Sequence, residues 1–246
     1  MKRTAIAWLL WLWMAAVIVG AFDYAPLAAK FIGQSSRILF FHVPMAWAAF
    51  VAFVAAGVYS LRYLFGARRP DGVRDPRHDR AARAAIELGL LFSVLATVTG
   101  AIWARIMWGS WWNWDPRQIS IVEALIFNGA YLALRDAVED AEKRARLAAV
   151  YAVVGLVVTP FFFFVVPRIA SFSLHPQPVV NAGGRVEMES RMLQVLLASG
   201  AGFTALFFWL HRLRTGLLAL ADRAFAAAPR AALAPAAGSP RTSTSS

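Results

Sequence analysis

Cysteine is absent from the 246 residues of this chain, and histidine occurs only four times. Without a thiol the protein forms no disulfide, no thiolate metal site and no thioether link to a cofactor. The four histidines are therefore the side chains best suited to bind a metal or to exchange protons near neutral pH. A cofactor in this protein is expected to be held non-covalently.

Acidic side chains are also scarce, with 14 Asp and Glu against 25 Lys and Arg and a formal net charge of +11. Most basic residues fall at the N-terminus and around residues 62–83, 135–146 and 212–241. Because short cytoplasmic segments of membrane proteins collect Lys and Arg, these segments and both termini are predicted to be cytoplasmic. This topology explains the positive charge, so no nucleic-acid partner is predicted.

Long polar stretches are lacking too, since 59% of the residues are hydrophobic and the mean hydropathy is +0.55. Runs of about 20 apolar residues are long enough to cross a bilayer as helices. No strand-like alternation of about ten residues recurs, which argues against a membrane β-barrel. The predicted fold is an all-α, polytopic membrane bundle of six transmembrane helices. These cover roughly residues 5–22, 44–65, 84–104, 119–137, 147–166 and 191–211.

The two ends of the chain carry no recognisable chemistry. The N-terminal apolar run is longer than the 7–15 or so residues of a signal-peptide core, which favours an uncleaved first helix. The membrane domain is expected to span residues 1–211. The remaining residues, 212–246, are rich in Ala, Pro and Ser and are predicted to form a disordered cytoplasmic tail.

The topology divides the four histidines into two pairs. On the cytoplasmic side, His78 is predicted to be a solvated loop residue and His211 a C-terminal cap of the last helix. On the outer side, His42 precedes a helix that Pro44 is expected to open, and His175 lies in a proline-bounded loop. The outer pair could be structural, or it could supply the two axial ligands of a haem iron. With no third outer His or Cys, a tetrahedral zinc site is hard to complete.

The most unusual segment is the Trp-rich segment, residues 103–118, which contains the sequence WGSWWNWDPR. Its tryptophans could form an aromatic belt at the level of the lipid headgroups. Such a belt is spread around a protein and occurs at both interfaces, whereas half of the ten Trp residues lie within this one outer segment. Their density favours a binding surface, because indole rings offer a flat apolar face to a porphyrin.

Charged residues near the Trp-rich segment have both structural and functional interpretations. Asp115, followed by Pro116 and Gln118, matches a capping box that opens the fourth helix. Arg37 and Arg117 could pair with haem propionates or with lipid headgroups. Glu123 lies inside the fourth helix, where a charge should face the bundle or a partner such as Arg117.

Together, these residues resemble the haem-handling Trp-rich (WWD) membrane proteins of cytochrome c maturation, whose mark is WGxWWxWD followed closely by Arg. The length, the six helices and the stretch GQSSRILFFHVPMAW are similar to the protein C family within that group. The resemblance covers about residues 5–211. It implies a haem b whose axial ligands are His42 and His175. It also implies that the Trp-rich segment lies against the porphyrin. The candidate haem-binding residues are therefore Trp108, Trp111, Trp112, Trp114 and Asp115, with Arg37 and Arg117 added as the arginines that could pair with propionates.

The same resemblance implies a function, a location and partners. The protein would sit in the bacterial inner membrane with the Trp-rich segment facing the periplasm, and would deliver haem to the periplasmic haem chaperone. Other expected partners are a small single-helix membrane protein, the subunits of an ATP-binding cassette transporter and membrane lipid. A transfer protein rather than an enzyme is expected. The alternative is a redox subunit of the membrane b-type cytochrome class. It is disfavoured because the haems of that class lie between helices inside the bundle, whereas the candidate ligands here are expected at helix ends or in loops.

Overall fold

The computed structural model describes residues 2–28, 32–69, 72–169, 172–175 and 188–232. Within these ranges every regular element is a helix and no strand occurs. Five helical stretches in them are long and apolar enough to cross a membrane. These stretches are Thr4–Tyr24, Gly33–Phe65, Pro76–Trp108, Ala141–Ile169 and Ser190–Phe225. The predicted class, an all-α polytopic membrane bundle, is confirmed.

The helices follow the order of the apolar runs. They are α1 (Lys2–Val19), α2 (Leu39–Phe65), α3 (Pro76–Trp108), α4 (Pro116–Ala137), α5 (Ala141–Pro160), α6 (Val166–Ile169) and α7 (Ser190–Ala232). A π-helical turn, Gly20–Tyr24, follows α1, and another, Phe161–Val165, joins α5 to α6. A 3-10 turn, Gly33–Ile38, leads into α2.

The fourth apolar run, residues 119–137, forms α4, which is not among the five stretches that are long and apolar enough to cross a membrane. Its 22 residues extend about 33 Å at about 1.5 Å per residue, the thickness of a bilayer core. It is less apolar because it contains Glu123, Asn128, Arg135 and Asp136. Of these, Asn128 and Arg135 are buried, so α4 turns polar side chains toward the other helices.

Small residues let the helices approach closely at the centre of the bundle. Helix α2 packs against α3, α5 and α7, and its Ala48, Ala52 and Ala56 are fully buried. On α3, a carbon added to Gly89 would lie 2.5 Å from the ring of Phe53. Helices in lipid associate through such tight packing, because burial of apolar surface gives no net gain there.

The start of α2 differs from the prediction, since the helix begins at Leu39 and Pro44 lies inside it. A proline within a helix leaves the carbonyl four residues earlier without its N–H donor. That carbonyl belongs to Phe40, and the Ser199 hydroxyl of α7 donates to it at 2.5 Å. The helix can therefore continue through Pro44, and His42 lies within the first turns of α2 rather than before it.

The prediction for each of the two remaining histidines is wrong. His78 lies in the first turn of α3 and is half-buried rather than in a solvated loop. His211 is buried within α7, where its Nε2 donates to the Ala81 carbonyl of α3 at 2.9 Å. Its ring stacks on Tyr59 with centroids 5.1 Å apart. His211 thus joins three helices instead of capping one.

The predicted domain boundary at residue 211 does not coincide with a helix end. Helix α7 runs to Ala232, because apolar residues at helical spacing continue past His211 and no proline follows before Pro229. The prediction of disorder is therefore wrong for residues 212–232. Residues 233–246 lie outside the described residues.

A two-pronged ion pair ties the end of α4 to the start of α3. Arg135 donates from Nη1 to Oδ1 of Asp79 at 2.6 Å and from Nη2 to Oδ2 at 2.9 Å. The side chains are only 8% and 15% exposed. A buried pair is tolerated because its two charges satisfy each other with good geometry.

We predict that Asp79→Ala lowers the free energy of unfolding by about 3 kcal/mol, because it leaves the buried Arg135 guanidinium without a counter-charge. Denaturant titration in detergent micelles measures the change. The matched control is Asp222→Ala, which breaks the 3.0 Å pair with Arg80 at a carboxylate that is 62% exposed and should cost less than about 1 kcal/mol. Equal losses in the two variants would contradict the structural role of Arg135.

Candidate functional site

His42 is held by α3 at one end of the bundle. Its Nδ1 lies 3.0 Å from the Ala96 carbonyl and 3.1 Å from the Thr99 hydroxyl. A carbonyl oxygen only accepts, so Nδ1 carries the proton of the neutral ring and Nε2 keeps a free lone pair. Within the described part of the chain, Nε2 has no hydrogen-bond partner. This is the arrangement of a histidine that ligates a metal through Nε2.

Gly100 makes room for the His42 ring against α3. A carbon added to Gly100 would lie 2.8 Å from Cε1 of His42, a distance that requires something to move. The missing side chain therefore lets the imidazole lie directly on the helix, one turn beyond Ala96. Helix formation itself does not favour a glycine at this position, because glycine in a helix interior lowers the stability of the helix.

His175 is held by a carboxylate. Its Nδ1 donates to Oδ1 of Asp115 at 2.7 Å, and Nε2 has no partner among the residues that the structure describes. Burial lowers the pKa of His175, and the nearby positive charge of Arg117 lowers it further, while Asp115 raises it. The net pKa is below its usual range, so the ring is neutral at pH 7, the state that can ligate a metal.

Asp115 connects the Trp-rich segment, α4 and the short segment that carries His175. Its carboxylate is fully buried and accepts from the backbone N–H of Arg117 at 3.0 Å, the Ser173 hydroxyl at 3.0 Å and the Leu174 N–H at 2.7 Å. Burial favours the neutral acid, but these donors outweigh it, so the pKa of Asp115 falls below its usual value. The predicted capping box with Gln118 is present as well.

The backbone of Trp114 makes the turn that precedes Asp115. Its φ of 56° lies in the left-handed region, which costs a bulky residue about 1–3 kcal/mol. The indole of Trp114 is 66% exposed, whereas the next side chain, Asp115, is buried. The left-handed residue thus lies where the chain passes from an exposed indole to a buried carboxylate.

The tryptophans divide into two groups. Trp103 and Trp108 pack against His175, with ring centroids 6.2 and 5.0 Å away. Trp112 and Trp114 contact each other edge to face at 5.7 Å, and Trp111 is 58% exposed. Trp103 is missing from the residues that the sequence places around a haem. Its spacing from Gly100 on α3, three residues, is the signal that could have indicated it.

Arg37 and Arg117 have different surroundings. Arg37 donates from Nη1 to the Ala21 and Ala25 carbonyls at 2.5 and 2.6 Å, so part of its guanidinium secures the end of the first membrane stretch. The Arg117 guanidinium makes no hydrogen bond or ion pair within the described residues. The suggested Arg117–Glu123 pair is not formed there, and Oε2 of Glu123 is buried without a partner among those residues.

Comparison with known proteins decides the family. The sequence model described as "Heme exporter protein C" matches residues 1–228. The chain belongs to the haem exporter protein C family. A relative with that name from Rhodobacter capsulatus is 33% identical over 202 residues, 80% of this chain and 78% of the relative. The Bradyrhizobium diazoefficiens relative is 36% identical over 73% of this chain and 65% of its own length.

A third relative named Heme exporter protein C, from Paracoccus denitrificans, is 33% identical over 187 residues, 74% of this chain and 73% of the relative.

In this member of the haem exporter protein C family, the residues present fit a haem. Two neutral imidazoles leave Nε2 free, and Trp103 and Trp108 supply apolar rings beside His175. Trp112 Nε1 and Asn113 Nδ2 are buried donors without a partner in the described chain. Two hydrogen-bond donors at this end of the bundle are therefore left unsatisfied by the described residues.

We predict that Gly100→Ala reduces the haem retained per purified protein about tenfold, the order of loss typical when the support of a metal-ligating histidine is removed. The added methyl displaces the His42 ring from the Ala96 carbonyl, although alanine favours the helix by about 0.5–1 kcal/mol. Absorbance spectra and protein assays measure the ratio. Gly129→Ala in α4 is the control, since no atom lies within 4 Å of its added carbon. Unchanged haem content in the Gly100 variant would contradict this contact.

Proposed function

We propose that this protein binds haem b non-covalently at the outer face of the inner membrane and delivers it to the periplasmic haem chaperone during cytochrome c biogenesis. The observation that carries the proposal is the matched state of His42 and His175. Each uses Nδ1 as a donor to a protein oxygen and leaves Nε2 free. Two such imidazoles would supply both nitrogen ligands that a low-spin haem iron takes, and the family name of the relatives supports haem handling.

The distribution of charge supports the orientation. The ion pairs of Arg80 with Asp222, Arg135 with Asp79, and Arg214 with Glu87 lie toward the start of α3, at the opposite end of that helix from Trp103 and Trp108. Basic residues favour the cytoplasmic side. The histidine and tryptophan end of the bundle then faces the periplasm, where the chaperone operates.

The exposed indoles support transfer to a partner rather than permanent storage. Trp111 and Trp114 are more than half exposed and lie a few residues from Asp115, which holds His175. We assign them to the outer rim of the haem site, where the chaperone docks. Arg117, whose guanidinium is uncommitted within the described residues, is the better candidate for a haem propionate, and Arg37 is the second. The single-helix protein, the transporter subunits and lipid remain proposed partners along the membrane-facing surface.

We predict that His42→Ala and His175→Ala each reduce bound haem by at least about tenfold, because each removes one axial ligand. The wild type should purify with about one haem per chain and a low-spin spectrum. His78→Ala is the control, since His78 lies in the first turn of α3, at the other end of that helix. A wild-type protein with no Soret band, even when haem supply is raised, would refute the proposed function.

We predict that Trp111→Ala combined with Trp114→Ala lowers covalent haem on the chaperone by several-fold while leaving most haem on this protein. These rings are exposed, whereas Trp103 and Trp108 contact His175. Haem staining of the chaperone and the Soret absorbance of this protein measure the two quantities. The matched control is Trp8→Ala with Trp11→Ala, two equally exposed indoles on α1. Normal chaperone loading in the Trp111/Trp114 variant would assign these rings to an aromatic belt.

A further inference from the structure

The two histidines are held by chemically different acceptors. His42 donates toward a neutral carbonyl and a hydroxyl, whereas His175 donates to a carboxylate. We propose that Asp115 is a positioning residue that fixes the proton of His175 on Nδ1 and makes His175 the more strongly electron-donating axial ligand. This inference rests on the proposed function and assigns Asp115 a role through His175, not in direct contact with haem.

Helix capping alone does not account for the contacts of Asp115. An N-cap needs only one acceptor for the first free N–H groups of its helix, and the Asp115 carboxylate fills that role by accepting from the Arg117 N–H. Three further donors reach the same carboxylate from Ser173, Leu174 and His175. They come from a segment about 60 residues away in sequence, so Asp115 anchors the whole described segment around His175.

The contact between Asp115 and Nδ1 of His175 involves a buried carboxylate. The Asp115 side chain is fully buried, and burying a carboxylate is costly unless hydrogen bonds satisfy it. The donors from α4 and from the segment around His175 provide that satisfaction. An acceptor-only group opposite Nδ1 requires the proton to lie on Nδ1. Nε2 is then the only nitrogen of His175 that can bind iron.

The carboxylate also changes the ligand strength of His175. A histidine that donates to a carboxylate is a more basic ligand than one that donates to a carbonyl. Hydrogen bonding to an axial ligand is one of the means by which a protein sets the reduction potential of a haem. A haem bound here would therefore have unequal ligands, and loss of the Asp115 charge should raise its reduction potential.

Asp115→Asn isolates this effect, because asparagine has nearly the same size and remains a good N-cap. Its side chain, however, offers one carbonyl oxygen and an NH₂ donor. The protein donors then compete for one oxygen, and an NH₂ group that faces His175 favours the tautomer with the proton on Nε2. That tautomer cannot ligate iron through Nε2.

The experiment has one measurement without haem and one with haem. In haem-free protein labelled with ¹⁵N-histidine, the His175 signals, assigned by comparison with His175→Ala, report which ring nitrogen carries the proton. We expect the proton on Nδ1 in the wild type and a shift toward Nε2 in Asp115→Asn. In haem-loaded protein we expect a higher reduction potential and about tenfold faster haem loss in the variant.

Three further variants separate positioning from general stability. Ser173→Ala removes one donor to Asp115 but keeps the Nδ1 contact, so the tautomer and the potential should stay at wild-type values even if stability falls. Asp115→Glu keeps the charge and should restore the potential relative to asparagine. Thr99→Val tests the other histidine, whose tautomer should persist through the Ala96 carbonyl.

The outcomes distinguish the two proposals. A wild type that binds no haem refutes the proposed function, while the ¹⁵N measurement still decides the role of Asp115. Haem-loaded Asp115→Asn with the wild-type tautomer and potential refutes the inference and leaves the function standing. If the asparagine variant does not fold, a wild-type His175 with its proton on Nε2 overturns the inference, and a proton on Nδ1 that persists in Ser173→Ala supports it.

Discussion

A bilayer offers no water to a polar group, so the main requirement on a polar group between the helices is a partner inside the protein, although a few, such as Oε2 of Glu123, have none among the described residues. Contacts that meet this requirement join distant parts of the chain. The Trp13 indole donates to the Ala198 carbonyl, the Ser199 hydroxyl to the Phe40 carbonyl and His211 to the Ala81 carbonyl. Because apolar faces alone do not select a neighbour in lipid, these hydrogen bonds and the small residues of α2 set the helix arrangement.

The same requirement controls the chemistry of the candidate site. His42 and His175 each satisfy Nδ1 with an oxygen of the protein, and in doing so each exposes the lone pair of Nε2. The neutral, oriented imidazole is thus a consequence of satisfying buried hydrogen bonds. Gly100 adds the space that allows His42 to lie on α3. The same Nδ1 hydrogen bonds therefore support the fold and orient the free Nε2 of each histidine.

The Trp-rich segment combines two physical roles that its composition does not separate. Trp103 and Trp108 pack beside His175, where they shield it from water. Trp111 and Trp114 point outward and remain accessible to a partner. The change of direction coincides with the left-handed backbone of Trp114 and the buried Asp115. One short segment therefore packs one pair of indoles beside His175 and leaves another pair exposed at the surface.

Properties that depend on local composition can be predicted from the amino-acid sequence of this chain. Apolar runs located the membrane helices, since transfer into lipid is nearly a sum over the residues of one run. The capping box of Asp115 and Gln118 spans one helical turn and was predicted for the same reason. His42, His175 and the indoles around them were also indicated by their positions between these runs. The oxygen atom to which each histidine donates depends instead on how the helices pack.

Ala96 lies 54 residues from His42 and Asp115 lies 60 residues from His175, so no local pattern reports these pairs. The burial of His211, the placement of Pro44 inside α2 and the packing of Trp103 on His175 likewise depend on other helices. Membrane helices are apolar on most faces, so periodicity does not say which face meets which neighbour. That choice is made by hydrogen bonds and close packing between helices, and it exists only in the folded bundle.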